Sequence, residues 1–80
     1  MYLEIITPDK KVFEGEVKLI QLPGSKGGFE ILKNHAPIIS TLEKGTIKII
    51  EKNGEERLFE VDGGVIENKL NKIIVLVESA

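Results

Sequence analysis

The branching of the apolar side chains limits this chain to β structure more than any other feature. Isoleucine and valine together number 18 among 80 residues, whereas alanine numbers only 2. Branching at Cβ favours the pleated strand and restricts the side chain in a helix. Only residues 32–44 have the apolar spacing of a helix, and Pro37 lies inside that segment. Because an interior proline removes a backbone hydrogen bond and clashes with the preceding turn, we predict an all-β fold.

Turn-forming residues divide the chain into short segments, as expected of a small two-layer or closed β fold. The predicted strands are residues 3–6, 11–22, 29–32, 37–41, 46–51, 57–61, 65–67 and 73–77. Gly15 is expected to mark a bulge or a bend, Gly45 to turn the chain, and Gly63–Gly64 to mark a close backbone approach or a bulge. The last segment is apolar on both faces and is predicted to be central. Without linker or repeat, residues 1–80 are predicted to form one domain.

The Asn53–Gly54 pair is the strongest local turn signal, because a type I′ hairpin needs positive φ at both central residues. A two-residue loop would pair Ile49 with Leu58, which suits a buried face. It would also pair Lys48 with Phe59, and that aromatic ring would then need cover from elsewhere. One extra loop residue would shift the register and move each side chain to the other face. The pattern leaves both registers open.

Composition excludes several functional classes. Eleven basic and 13 acidic residues give a formal net charge of −2, and aromatic residues make up 5%. Nucleic-acid-binding surfaces are usually basic and carry stacking aromatics, so no nucleic acid partner is predicted. The absence of cysteine excludes a disulfide scaffold and a thiolate site. No apolar run reaches the roughly 18–20 residues of a membrane helix, and no signal-peptide pattern begins the chain; an intracellular domain is expected.

The sequence offers little material for an enzyme. His35 is the only histidine, and no serine lies in a nucleophile-elbow pattern. A triad would have to draw on Ser25, Ser40 or Ser79 with Asp9 or Asp62. The pairs Glu14/Glu16 and Glu55/Glu56 could share a metal or a proton, but charged residues of this kind are mostly exposed. The glycine-rich residues 22–28 lack Walker spacing and open no helix. We predict a non-catalytic chain without cofactor or metal.

Several segments, taken in order, resemble the epsilon subunit of bacterial-type rotary ATP synthase. They are residues 3–8, 12–17, 22–24, 31–37, 45–49 and 61–67, and with their spacing they cover essentially the whole chain. The most specific are Asn34-His35-Ala36-Pro37 and Gly63-Gly64-Val65-Ile66-Glu67. The resemblance implies a flattened two-layer β-sandwich of about ten short strands. Longer members append a helical hairpin after the last strand, and this sequence ends there. Either a hairpin follows in a longer chain, or the chain is a short form without helical inhibition or nucleotide binding; we expect the short form.

The resemblance also implies a rotor subunit of the central stalk that links the gamma subunit to the c-ring and, indirectly, to the αβ catalytic hexamer. Such a subunit couples proton translocation to ATP synthesis and is peripheral to the cytoplasmic face of the bacterial cell membrane. The residues implied to face the c-ring are Pro23, Gly24, Ser25, Lys26, Gly27, Gly28 and Phe29. Those implied to face gamma are His35 and Ser40. Gly28 stands where family members often carry an acid, and Glu30 stands where they carry glycine.

Two other hypotheses remain at the level of sequence. An unrelated β-sandwich adaptor would bind another protein through an exposed edge or loop. A small hydrolase would need His35 within hydrogen-bond reach of both a nucleophile and an acid.

Overall fold

The computed structural model describes residues 1–80, and all of its regular elements are β-strands. The strands are β1 (Tyr2–Ile6), β2 (Lys11–Leu22), β3 (Phe29–Leu32), β4 (Ile38–Glu51), β5 (Glu56–Lys69) and β6 (Lys72–Val77). The predicted all-β class is confirmed, whereas the strand count is six rather than about ten. Since there are no helices, none is present that could cross a membrane.

Strand β1 closes the sheet. The strand order is β1-β6-β5-β4-β2-β3, and β1 pairs in parallel with β6 and antiparallel with β2. β3 extends the edge beyond β2, and β6 lies between β1 and β5, the central position predicted for the last segment. The closed sheet is flattened, with extents of 26 × 23 × 18 Å. This arrangement is consistent with the flattened two-layer sandwich that the resemblance implied.

The two longest strands run through both layers, which explains the lower strand count. β4 buries Leu42 in its first half and Ile47 and Ile49 in its second, so its inward positions change from even to odd numbers. In β5 the inward positions change from odd to even numbers, because Val61 is buried in its first half and Ile66 in its second. Successive side chains of a strand point to opposite faces, so each change marks a local bend where the strand passes between layers.

Gly45 lies inside β4, so the prediction that it turns the chain is wrong. It pairs with Val61, and one register runs from Ile38↔Asn68 to Ile50↔Glu56. The glycine is needed for space, because an added Cβ would lie 2.8 Å from the Pro23 side chain. The two segments predicted on either side of Gly45 are therefore one strand.

Strand β2 bends three residues later than predicted. Gly15 pairs regularly with Leu3, whereas the register against β4 shifts between Val17 and Leu19. The inward positions change there from Val17 to Ile20. Lys18 is therefore the extra residue of a bulge, a feature that bends a strand and redirects a side chain.

The core lies between the two layers and is one apolar cluster. Its members are Leu3, Ile5, Phe13, Val17, Ile20, Leu22, Ile31, Leu42, Ile47, Ile49, Val61, Ile66, Ile73, Val75 and Val77. Strands from both layers contribute, so neither layer could bury its apolar face alone.

The predicted close approach at Gly63–Gly64 is confirmed. A Cβ added to Gly64 would lie 2.0 Å from the Leu76 carbonyl oxygen and 2.9 Å from the Val77 Cα atom. Because those are backbone atoms of β6, a side chain at this position would have to separate β5 from β6.

The β4–β5 hairpin adopts the shifted register. Ile47 pairs with Phe59 and Ile49 with Arg57, and the Glu51 N–H donates to the Glu55 carbonyl at 2.8 Å. The loop thus has three residues and ends at Gly54, whose φ is +91°. Of the two registers that the sequence left open, the structure has the one with the extra loop residue, and such a three-residue loop needs positive φ only at its last position.

In this register the Phe59 side chain packs against the core, whereas the register of the two-residue loop would have left the ring without cover. Phe59 packs against the core and meets the Phe13 ring edge to face, with the centroids 6.1 Å apart. The Arg57 guanidinium lies 5.2 Å from the Phe13 centroid and 5.3 Å from that of Phe59. The Arg57 guanidinium therefore covers both aromatic rings at this edge of the core and is attracted to them by cation–π interaction.

A polar cluster on the outer face ties β1 to β2. Lys11 Nζ lies 2.9 Å from Glu4 and 3.3 Å from Glu14, and the Tyr2 hydroxyl donates to the Glu14 carboxylate. This hydrogen bond, with desolvation and the Glu14 charge, raises the pKa of Tyr2 to about 12. The hydrogen bonds from Tyr2 and Lys11 lower the pKa of Glu14.

Replacing Gly64 with alanine should destabilise the fold by about 2–4 kcal/mol, because the new methyl group meets backbone that cannot retract. The matched control is Gly15→Ala, whose Cβ would lie 3.4 Å from a Phe13 ring atom. That change should alter stability by no more than about 1 kcal/mol. Urea unfolding of both variants measures the difference, and equal losses would contradict the proposed close approach.

Tyr2 should titrate near pH 12, and Glu14→Gln should return its pKa toward the ordinary value near 10. Tyr2 is the only tyrosine and there is no tryptophan, so tyrosinate absorbance reports this group alone. Since the folded pKa is raised, its contribution to stability is complete below the unfolded pKa and is lost as pH rises toward 12. An unshifted wild-type titration would exclude the hydrogen bond.

Candidate partner-binding loops

The 23–29 loop, predicted to face the c-ring, combines a fixed base with an exposed tip. Gly24 is buried. Its N–H donates to the Leu22 carbonyl at 3.1 Å, and its carbonyl accepts from the Gly27 N–H at 3.0 Å. Phe29 packs against the core. The residues exposed at the tip are Ser25, Lys26, Gly27 and Gly28. Lys26 is therefore the only charged side chain at the tip.

This loop is bound to the first half of β4. The Ser25 N–H donates to the Thr41 carbonyl at 3.1 Å, and the Thr41 hydroxyl donates to Ser25 Oγ at 3.0 Å. The Glu43 N–H donates to the Pro23 carbonyl at 2.8 Å. These bonds bring the loop beside Ser40, and Lys26 and Ser40 line one shallow cleft of about 340 Å³.

Ser40 is half-buried, and its strand neighbours are the more exposed residues. Strand alternation puts Ser40 on the same face as Ile38 and Leu42, while Ile39 points outward and is 76% exposed. In the strand segment that the resemblance indicates, Ile39 therefore presents a larger exposed side chain than Ser40. Alternation could have found it had the strand register been known.

An outward apolar surface extends from Ile39 across β5 and β6. We call Ile39, Val65 and Leu76 the outer patch; they are 76%, 41% and 48% exposed. Val65 pairs with Leu76 on one side and with Thr41 on the other. Contiguous apolar surface of this kind often marks an interaction site. For Leu76 alone, the sequence signal was the apolar character of residues 73–77 on both faces.

The turn that carries His35 is fixed by three asparagines. Asn34 has φ of 67°, and its N–H donates to Asn71 Oδ1 at 2.7 Å. The Asn71 amide returns a bond to Asn34 Oδ1 at 3.1 Å. Asn68, only 2% exposed, approaches the His35 and Ala36 carbonyls with its amide nitrogen at 3.5 and 3.4 Å. The turn is thus held against the β5–β6 hairpin.

The His35 ring has no catalytic partner. Its Nδ1 lies 2.7 Å from the Ala36 carbonyl oxygen, so that nitrogen donates the hydrogen bond. The serines bind elsewhere: Ser25 and Ser40 contact Thr41, and Ser79 donates to Asp62 at 2.9 Å. The arrangement required by the hydrolase hypothesis is not assembled.

Three members of the two glutamate pairs contact different basic groups. Glu14 contacts Lys11, Glu16 lies 3.6 Å from the N-terminal ammonium, and Glu56 lies 3.3 Å from Lys48. No three histidine, aspartate or glutamate side chains converge on one point. The geometry that the chain offers is therefore one of loops and surfaces.

Comparison with known proteins agrees with this geometry. The family model described as ATP synthase, Delta/Epsilon chain, beta-sandwich domain matches residues 1–80. An ATP synthase epsilon chain of Alkalilimnicola ehrlichii is 34% identical over all 80 residues. The match covers 57% of that relative, so the chain spans little more than half of its length.

Solved structures share the fold at lower sequence identity. A chain of the Euglena gracilis mitochondrial ATP synthase, in an OSCP/F1/c-ring structure, superposes with a TM-score of 0.89 at 18% identity, covering 96% of this chain and 49% of that one. A chain of the Tetrahymena thermophila mitochondrial ATP synthase central stalk and c-ring superposes with a TM-score of 0.78 at 21% identity. The match covers 96% of this chain and 62% of that one. From the match of the family model along its whole length and the 34% identical relative, the chain belongs to the delta/epsilon-chain β-sandwich family of ATP synthase subunits.

Proposed function

We propose that this chain is a non-catalytic rotor subunit of an ATP synthase central stalk. It would link the gamma subunit to the c-ring and couple proton translocation to ATP synthesis, at the cytoplasmic face of a bacterial membrane. The observation that carries the proposal is the 34% identity to an epsilon chain over all 80 residues. The unrelated-adaptor hypothesis has no comparable support.

The tip of the 23–29 loop is proposed to meet the c-ring. Its exposed residues are polar or glycine, which suits contact with polar loops of another subunit, and Lys26 supplies a positive charge. The backbone bonds to Thr41 and Glu43 hold the base of the loop on β4. A fixed base allows force at the tip to reach the sheet without first straightening the loop.

The Glu30 carboxylate lies beside the end of this loop, in a groove that Gly28 also lines. Glu30 pairs with Gln21, whose amide donates to it at 2.8 Å, and both line an open groove together with Lys48 and Leu58. The charge that family members often carry at the position of Gly28 thus lies two residues further along this chain, where the Gln21 amide binds it. In our proposal the ring contact relies on Lys26 and on the loop backbone.

The gamma-facing surface is proposed to comprise His35, Ser40 and the outer patch. Burying the outer patch against gamma would remove apolar area from water, at about 25 cal/mol per Å². Ile39 is the most exposed member and adjoins Ser40. The asparagine-bound turn presents His35 with little freedom to lose on binding.

Ile39→Asp should weaken binding to purified gamma by at least about tenfold, because it puts a charge into an apolar contact. The matched control is Leu58→Asp, since Leu58 is 59% exposed but lies outside the outer patch. Isothermal titration measures both affinities, and melting curves check that both variants fold. Equal weakening by the two variants would contradict the assigned surface.

Lys26→Glu should reduce retention on detergent-solubilised c-ring several-fold, because it reverses the only charge at the tip. Lys44→Glu is the control, an exposed lysine of β4 outside the loop. Co-sedimentation with gamma and c-ring gives the readout. Retention equal to that of the control would remove Lys26 from the proposed ring contact.

A further inference from the structure

Three lysines without an ion-pair partner line one cleft beside the N-terminus. The cleft has a volume of about 360 Å³ and is lined by Lys18, Lys33, Lys52, Met1, Glu16 and Val17. The basic side chains that do form ion pairs, Lys11, Lys48 and Arg57, all lie elsewhere. In a chain of net charge −2, this cleft is a local concentration of positive charge.

The backbone brings these lysines together from three parts of the fold. The β2–β3 ladder ends at Leu19↔Leu32, and the next positions on the two chains are Lys18 and Lys33. Lys18 is the extra residue of the β2 bulge. The Lys52 N–H donates to the Glu16 carbonyl at 3.1 Å, which fixes the β4–β5 loop against β2. The backbone positions of the three lysines are therefore fixed by the sheet and by the loop bound to it.

The positive charge of the cleft is not neutralised within the chain. Lys18 and Lys33 lie just beyond the last pair of the β2–β3 ladder, and like charges brought close in this way repel one another. Glu16 is the only carboxylate lining the cleft, and it already lies 3.6 Å from the N-terminal ammonium. An anion of two or more charges would offset the repulsion among the three ammonium groups.

We propose that this cleft binds a soluble phosphate-bearing anion of about diphosphate size. Lysine binds phosphate as a point charge, and the cleft volume is at the lower end for small-molecule sites. Because the lysines are exposed, the affinity is modest and falls with salt. The cleft recognises the phosphates alone, since it is lined by no aromatic side chain that would stack on a base.

The position of the cleft favours a soluble anion over a lipid headgroup. The 23–29 loop follows the Leu22↔Phe29 end of the β2–β3 ladder, and the cleft lies beyond the Leu19↔Leu32 end. If that loop meets the c-ring, as proposed above, the cleft is on the side away from the ring. The anion site itself does not depend on that function.

The test is a titration of the isotopically labelled chain with inorganic pyrophosphate, followed by amide resonances and matched at each step with chloride of equal ionic strength. The variant is K18Q/K33Q/K52Q, and the matched control is K10Q/K44Q/K72Q, three exposed lysines that form no ion pair. Vesicles containing anionic lipid form a second arm. No other subunit is needed, so the result is independent of the proposed rotor role.

We expect resonance shifts confined to residues around the three lysines, and a loss of affinity of about tenfold in the triple variant but not in the control. Even if the triple variant does not fold, the set of wild-type amide resonances that shift shows whether pyrophosphate binds at the three lysines. Lys33→Gln alone should weaken binding without lowering the melting temperature, since it removes repulsion. Shifts spread over all lysines, equal weakening in the control, or binding to vesicles only would each overturn the proposal.

Discussion

The structure depends on three strands that change their buried face where they pass from one layer to the other. The change occurs at Lys18 in β2, around Gly45 in β4 and at Gly63–Gly64 in β5. Because the strands continue through the bend, one hydrogen-bonded sheet encloses the whole core, and β1 closes it by pairing with both β2 and β6. Such a body can deform only by breaking ladder bonds or by opening a close-packed interior.

This construction also determines how the loops are held. The 23–29 loop lies against β4 just before its bend, where Thr41 and Glu43 bind its backbone. The His35 turn lies against the β5–β6 hairpin, where Asn68 and Asn71 bind it. Both proposed contact surfaces are therefore hydrogen-bonded to neighbouring strands and not only joined to them at their ends. A subunit that transmits rotation between two partners needs that property, because a mobile loop would move without passing the rotation on to the sheet.

Most of the fold could be predicted from the sequence, and the errors share one physical cause. Residue types and turns located the strand segments, but an alternating pattern that changes phase at Gly45 looks like two strands. Only pairing in three dimensions shows that it is one. The hairpin loop was ambiguous because its register depends on the packing of Phe59 against Phe13, a contact between distant segments. The type I′ turn occurs instead at Leu70–Asn71, where φ is positive at both residues.

The sequence proposes the candidate surfaces only as regions, and the structure shows which of their side chains are exposed. The resemblance indicated the 23–29 loop and the segment around Ser40, yet the outward residue Ile39 follows only from the strand register. The ties from Asn68 and Asn71 to the His35 turn span more than 30 residues, so no local pattern reveals them. The lysine cleft is likewise assembled from three separate segments.

The most direct test of the rotor assignment is site-specific photo-crosslinking within ATP synthase isolated from native membranes. A photoreactive residue replaces Lys26 in one protein and Ile39 in another, and mass spectrometry identifies the attached subunit. The account predicts c subunit at position 26 and gamma at position 39. Incorporation into the complex with crosslinks to neither, or recovery of the chain with an unrelated protein alone, would contradict it.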